Sequence, residues 1–369
     1  MELYLRNHED LNDVIRIIDL PMVRSVTWSE TFNRGTSVTI ETFPHVDIVD
    51  TSDPGYGLGN SDGITIGSYL TSSFDGHRSV VYVTGIKYTE SLEEGAIYTI
   101  TATGAINLLS RRSILWLPGP AKTKNEAILH AFNSNWSTPA DPNRAVKGFR
   151  MWFDLESSEW KADLILKDLM HKRLDEAILG YIQACEVGLD AYVSGPRDNL
   201  PHSIMYRFFR PKDKGRTLSI YNGDLTELEW DMDYEEFKNV VYMYQDYDSG
   251  KGTQLQFPAR IPGGVSGLAR REVFFQSSVE GPDDKSKLAE MRTIAVRRVQ
   301  QLNKRRFVTT ATVSRRAAET LRCGDIVTLE SELYGEDKRV VDSITYTVDH
   351  SEEQIEVEFL PPYDDITTD

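Results

Sequence analysis

The residue types that carry most protein chemistry are present in this chain, but their spacing does not converge on a site. The histidines, His8, His45, His77, His130, His171, His202 and His350, are widely separated. No two stand four apart, the spacing that sets two imidazoles on one zinc ion. A closed zinc shell needs four clustered ligands, so no metal site is expected. Ser158-Glu159-Trp160-Lys161 has the spacing of a serine nucleophile activated by lysine, yet neither Ser-Asp-Asn nor Lys-Thr-Gly follows, and the stretch reads as the start of a helix. Asp246-Tyr247-Asp248-Ser249-Gly250 begins like a calcium loop. Its twelfth position, where the ion needs a bidentate glutamate, is Phe257. Lys122-Thr123 follows Gly119-Pro120-Ala121 without the upstream glycine of a phosphate-binding loop. Asp231 and Asp233 could serve glycoside hydrolysis, which needs two carboxyls about 5 to 9.5 Å apart, but among 57 acidic residues such pairs arise without purpose. We therefore expect no catalytic residue, no cofactor and no metal.

Charge narrows the partners. A formal net charge of −16 argues against gripping nucleic acid, because that affinity comes from lysine and arginine neutralising phosphates. The basic run Lys304-Arg305-Arg306, with Arg297-Arg298 before it, ends a helix pattern, where cations suit the dipole. No apolar run is long enough to span a bilayer and no secretory leader is visible, so a membrane segment is not expected. Two distant cysteines, Cys185 and Cys323, fit a reduced cytoplasm better than a disulfide framework. The tryptophans, Trp28, Trp116, Trp136, Trp152, Trp160 and Trp230, suit subunit contacts and cores equally.

The elements that would position these residues are mostly strands. Val23–Trp28, Ser37–Thr42, Gly63–Ile66, Val80–Tyr88 and Ile97–Thr103 are short runs rich in Val, Ile, Thr and Tyr, broken by Gly and Pro clusters. Thr123 with Glu126 forms a capping box opening a helix through Phe132. Leu174, Ala177, Ile178, Tyr181, Ile182 and Cys185 mark the apolar face of a helix expected to run from about Lys161 to Val187. Strands return at Ile204–Phe208 and Asn239–Tyr244, followed by a Gly/Pro-rich passage over 257–267. A third helix, from Asp283 to Arg306, has the seam Leu288, Met291, Ala295, Val299 and Leu302. Strands close the chain at Phe307–Val313, Asp325–Leu329, Val340–Val348 and Ile355–Phe359. At 369 residues several units are expected: a β-domain over 1–110, an inserted α+β domain over 111–230, a strand-plus-helix link over 231–306, and a second β-domain over 307–369 with a short acidic tail.

The two β-rich ends echo each other. Ile86-Lys87-Tyr88-Thr89 matches Ile344-Thr345-Tyr346-Thr347, with Val83 and Val341 three residues upstream. Eleven residues after each leading isoleucine stands another, Ile97 or Ile355, following Glu93-Glu94 or Glu352-Glu353. Both copies read as long hairpins preceded by a Gly-led strand, Gly63-Ile64-Thr65-Ile66 or Gly324-Asp325-Ile326-Val327. Two similar domains per chain would let a trimer present six near-equivalent units, since closed rings repeat one interface.

Spread over nearly the whole length, the chain resembles the tail hub proteins of siphophages, also called baseplate hub or tail-associated proteins. The resemblance rests on the order of several pieces. They are the glycine-ended strand Ile97–Gly104 leading into Leu108-Leu109-Ser110-Arg111-Arg112, then the helix and strand over 179–193 with the basic turn over 210–217, and Phe237–Tyr242. Arg270-Arg271-Glu272-Val273 and Leu321-Arg322-Cys323-Gly324-Asp325-Ile326-Val327 follow. The resemblance implies a β-rich α+β fold with two tube-like β-barrel or sandwich domains and inserted α+β domains, forming a trimeric ring at the tip of a virion tail. It implies, as partners, the distal tail protein, other tail-tip or baseplate proteins and the tape measure protein. DNA would pass through the channel without specific binding, and the chain would be made in the host bacterial cytoplasm. The chain stops within about ten residues of its last strand, too short for the wall-degrading extension such hubs often carry. Two other readings stand beside this one: a cell-wall or carbohydrate-processing enzyme on a β-rich scaffold, and a carbohydrate-binding adsorption module.

Overall fold

Alternation of apolar and polar residues gives this chain strands with one face to bury, and in the computed structural model most of them bury it in one place. The structure describes residues 3–6, 14–18, 23–43, 64, 66–72, 79–93, 95–115, 123–154, 171–185, 187–194, 203–231, 237–245, 255–260, 266–276, 284–304, 308–349 and 352–361. The N-terminal part contains β1 (Leu3–Arg6), β2 (Val14–Ile18), β3 (Val23–Thr31), β4 (Gly35–Thr42), β5 (Tyr69–Ser72), β6 (Val81–Ser91) and β7 (Gly95–Gly104). The middle contains α1 (Ala105–Leu108), α2 (Lys124–Phe132), β8 (Phe149–Asp154), α3 (Leu174–Cys185), β9 (Gly188–Ser194), β10 (Ser203–Phe209), β11 (Asp213–Ser219) and β12 (Leu225–Asp231). Next come β13 (Val240–Gln245), β14 (Leu255–Arg260), β15 (Glu272–Gln276) and α4 (Asp284–Lys304). The chain finishes with β16 (Val308–Val313), α5 (Arg315–Ala318), β17 (Ile326–Ser331), β18 (Gly335–Asp349) and β19 (Glu353–Leu360).

Thirteen strands share one sheet in the order β12, β16, β19, β18, β3, β4, β7, β6, β5, β1, β2, with β17 on β18 and β11 on β17. The fold is the β-rich α+β class expected, but among the described residues the sheet path is open at β12 and β2 and no barrel closes. Its apolar faces make one core, in which Trp28, Ile40, Leu70, Ile100, Leu329 and Phe359 are fully buried. Each such side chain contributes roughly 1.5–3 kcal/mol over its exposed state.

Two smaller cores flank it. α2 and α3 pack with the sheet β8, β10, β9 around an aromatic cluster of Phe132, Trp136, Phe149, Tyr181, Tyr206 and Phe208. Thr123 caps α2 by accepting the Glu126 amide at 3.2 Å, as the capping box requires. The buried Tyr206 hydroxyl donates to the Ala105 carbonyl at 2.8 Å, tying this layer to α1 at the end of β7. The third core joins β13, β14 and β15 to α4 through Val241, Met243, Met291, Ala295 and Val299, the last three being the seam read from the sequence.

Several elements differ from expectation. α3 begins at Leu174, because the three preceding residues are committed elsewhere. His171 takes a left-handed φ of 66° and donates its amide to the Ile114 carbonyl, Lys172 accepts the Ile114 amide, and Arg173 bridges Ser113. The proposed helix start at 158–161 lies outside the described residues. In place of a strand over 63–66, Ile64 makes an isolated bridge, Ile66 sits in a turn, and the pairing falls to β5; Gly63 and Thr65 lie outside the described residues. The Gly/Pro-rich passage hides β14, which tolerates Pro258 because among the described residues it is an edge strand paired only to β13.

Candidate functional site

The strand ladders reveal why the two hairpins echo each other. Trp28 pairs with Val38, Val38 with Ala102, and Ala102 with Val83. In the second half, Trp230 pairs with Thr309, Thr309 with Phe359, and Phe359 with Val341. Two six-stranded units therefore share one order, β3, β4, β7, β6, β5, β1 and β12, β16, β19, β18, β17, β11. They differ in their last strand, which is antiparallel in the first unit and parallel in the second.

Irregularities repeat as well. Both β6 and β18 carry a bulge just after the matched valine, between Val83 and Gly85 and between Val341 and Ser343. A regular strand puts residues three apart on opposite faces, and the extra residue of a bulge returns them to the same one. Val83 with Ile86 and Val341 with Ile344 thus both reach the main core. β3 and β12 share a second bulge, between Val23 and Ser25 and between Leu225 and Glu227.

The units meet at one junction. Residues 343–349 of β18 pair antiparallel with residues 31–25 of β3, placing Tyr346 opposite Trp28. The Ser29 and Thr345 hydroxyls hydrogen-bond across it at 3.0 Å, and the carbonyl of the bulge residue Asp342 accepts the Phe32 amide at 2.6 Å. The corresponding edges at the far ends of the pair carry no strand among the described residues: β6 from Gly85 to Ser91 beyond its contact with β5, and the side of β12 away from β16. Tyr88, the counterpart of Tyr346, is accordingly 51% exposed where Tyr346 is 5% exposed.

Ile86 packs partly buried against the main core, and Ile344, Tyr346 and Ile355 are buried within it. Ile97 and Ile355 do not occupy matching rungs: Ile355 pairs with Tyr346, whereas Ile97 pairs with Thr89 and Tyr98 takes the rung beside Tyr88. The second hairpin's connection is one residue shorter at the same level, which slips one strand against the other. The residues that carried the resemblance scatter over several roles. Gly104 runs so close to β4 that a Cβ would fall 2.8 Å from the Thr36 nitrogen. The Arg111 guanidinium lies 4.5 Å above the Tyr82 ring, and that of Arg112 5.8 Å from the Trp136 ring. The Arg271 carbonyl accepts the Asn239 and Val240 amides, and Glu272 pairs with Arg270. Gly324 has φ +88° and donates its amide to the Val341 carbonyl at 2.8 Å. Asp325 accepts the Arg322 amide at 3.0 Å and pairs with Lys214 at 3.3 Å; burial nonetheless raises its carboxyl above the usual range.

The chemical candidates do not gather. Among the described residues no three His, Cys, Asp or Glu side chains are placed to hold a metal ion. Asp246–Gly250, Lys122, Asp233 and most of the histidines lie outside the described residues. Desolvation pushes the Cys323 thiol well above its ordinary value, the opposite of an activated nucleophile. A cavity of about 190 Å³ between Asn33, Asn107, Leu109 and Ile178 is smaller than the usual ligand site of roughly 300–1,000 Å³. Sequence reading missed β12 as an edge. Its available signal was the five-residue step from Leu225 to Trp230, which repeats that from Val23 to Trp28.

No family model and no curated relative matches the sequence. Solved structures do. The 43 kDa tail protein of prophage MuSo2 from Shewanella oneidensis superposes with a TM-score of 0.62 at 12% identity, covering 98% of this chain and 99% of that one. The chain has the fold of a phage tail protein. A tail protein from Neisseria meningitidis MC58 shares this phage tail fold with a TM-score of 0.61 at 12% identity, over 99% of this chain and 97% of that one. The same tail fold extends to the Escherichia coli c3393 protein, a type VI secretion component described as similar to the T4 tail proteins gp27 and gp5. There the TM-score is 0.52 at 9% identity, over 94% of this chain and 75% of that one.

Proposed function

We propose that the chain is a structural protein of a phage or phage-like tail, a hub at the distal end of the tail tube that assembles and does not catalyse. Three copies form a ring whose six β-units meet a sixfold tube on one side and a threefold tip on the other. The observation that carries this reading is the duplicated six-stranded unit with its matched bulges, which gives one chain two near-equivalent building blocks. Likeness in fold to phage tail proteins over nearly the full length of both chains supports the setting. The first tube-like unit lies within residues 1–110, and the second is built on 307–369 with β11 and β12 contributed from 213–231. The α+β layer of α2, α3, β8, β9 and β10 and the α4 layer then stand outside the ring. The distal tail protein, other tail-tip or baseplate proteins and the tape measure protein are the neighbours of such a hub in the virion. The acidic surplus of the chain favours DNA sliding through over DNA binding.

Light scattering of the purified protein, followed by electron-microscope class averages, tests this. A threefold ring with a central hole and pseudo-sixfold inner density is expected. A species that remains monomeric at tens of micromolar would overturn it, and a substrate cleft in that monomer would turn the reading to an enzyme.

A further inference from the structure

The junction within the chain specifies how a junction between chains would be built. β18 meets β3 with Thr345 opposite Ser29, Tyr346 opposite Trp28 and Thr347 opposite Thr27. The ladders equate β18 with β6 through Val341 and Val83, and β3 with β12 through Trp28 and Trp230. We infer that the open edge of β6 pairs antiparallel with the open edge of β12 in a second copy of this chain, setting Lys87 opposite Asp231 and Tyr88 opposite Trp230. This rests on the ring proposed above and names the surface that closes it.

Four features of the two edges fit that pairing. Tyr88 is half exposed where its counterpart is buried against Trp28, so a strand laid on β6 would cover an aromatic ring that the single chain leaves in water. The rung occupied by the Ser29–Thr345 hydroxyl contact within the chain would be occupied between copies by Lys87 and Asp231, both exposed and opposite in charge. Continuing along the strands, Thr89 falls opposite Glu229, Glu90 opposite Leu228 and Ser91 opposite Glu227, so no like charges face each other directly. The bulge between Leu225 and Glu227 stands where that in β3 stands, so the two edges curve alike. Among the described residues, neither edge is covered by a strand of its own chain. A ring of three satisfies all of them, alternating the internal junction with the one between copies.

Cross-linking of the full chain tests the register. Directly opposed antiparallel residues have Cα atoms about 4.5–5.5 Å apart, within disulfide reach. The double variant Lys87→Cys/Asp231→Cys should therefore run as a covalent trimer on a non-reducing gel after mild oxidation. The pair Glu90→Cys/Asp231→Cys, three rungs out of register and about 10 Å apart, should not, and neither should either single variant carrying only the native cysteines. Cross-linking of the first pair alone supports the inference. A protein that light scattering finds trimeric, but whose first pair stays uncross-linked or whose shifted pair cross-links equally, overturns this edge pairing and leaves the hub reading standing. A wild-type protein that stays monomeric overturns both.

Discussion

Replacing Gly324 by alanine should destabilise the junction between the two β-units more than any surface change, and its cost divides into two separable parts. The residue sits at φ +88°, where a side chain costs about 1–2 kcal/mol. Its new Cβ would fall 2.5 Å from Phe32 Cε2 and 3.1 Å from Phe209 Cε2, and forcing a methyl into a filled site costs a further 1–3 kcal/mol or so. Together these give about 3 kcal/mol, or roughly 6–12 °C in Tm for a cooperative unit of 150–250 residues. Shortening the neighbour relieves only the second part. Phe32→Leu in the Gly324→Ala background should thus recover about 1–2 kcal/mol relative to additivity, the coupling typical of residues in contact. Urea titration followed by tryptophan fluorescence, on wild type, both singles and the double, measures every corner of the cycle. A Gly324→Ala protein within about 0.5 kcal/mol of wild type, or strict additivity in the double, would refute the reasoning.

Other positions carry sharper signatures in pH or locality. Tyr206→Phe should cost about 1–2 kcal/mol at neutral pH, because the Ala105 carbonyl loses its buried donor. Burial holds the Tyr206 hydroxyl well above its ordinary pKa, so the wild type loses stability as pH rises beyond about 10, and Tm measured between pH 8 and 11 should fall less steeply in the variant. Asp325→Asn should show the same sign on the acid side. The carboxyl is raised by burial, so the stability it withholds at pH 7 returns as pH falls through that raised value, and the Tm of the asparagine variant relative to wild type should be more favourable at pH 7 than at pH 4. Thr123→Ala should remove the cap of α2 at a cost of about 1 kcal/mol, visible as faster amide exchange at Glu126. Trp28→Ala should cost about 3–5 kcal/mol, since the ring is fully buried beside Tyr346, and should lower the main thermal transition.

The hairpin echo was legible because both β6 and β18 break the two-residue alternation at the same place, leaving a Val-x-x-Ile step that a regular strand facing one core does not make. The seam of α4 was legible for the same reason, as a period. What escaped were relations set at long range. Trp230 lies far from Trp28 in sequence, and only the rungs through β16 and β19 make them equivalent. α3 was read too early because the apolar stripe says nothing of the hydrogen bonds that draw residues 171–173 to Ile114. β14 was obscured by Pro258, whose composition signals a break while its edge position permits a strand. The open edges could not be read at all, since an unpaired strand has the same local pattern as a paired one.

The junction of β18 with β3 also imposes a schedule on synthesis. β3 leaves the ribosome long before β18, the strand that covers its edge, since most of the sequence given lies between them. At about 5–20 residues per second, the interval is on the order of 15–60 s. During it the nascent chain presents an edge bearing Trp28 that can hydrogen-bond to any extended peptide, including the same segment of another nascent copy. The later β18 thus acts as the natural guard of the earlier β3, and a product truncated before it would be left with a permanently adhesive edge.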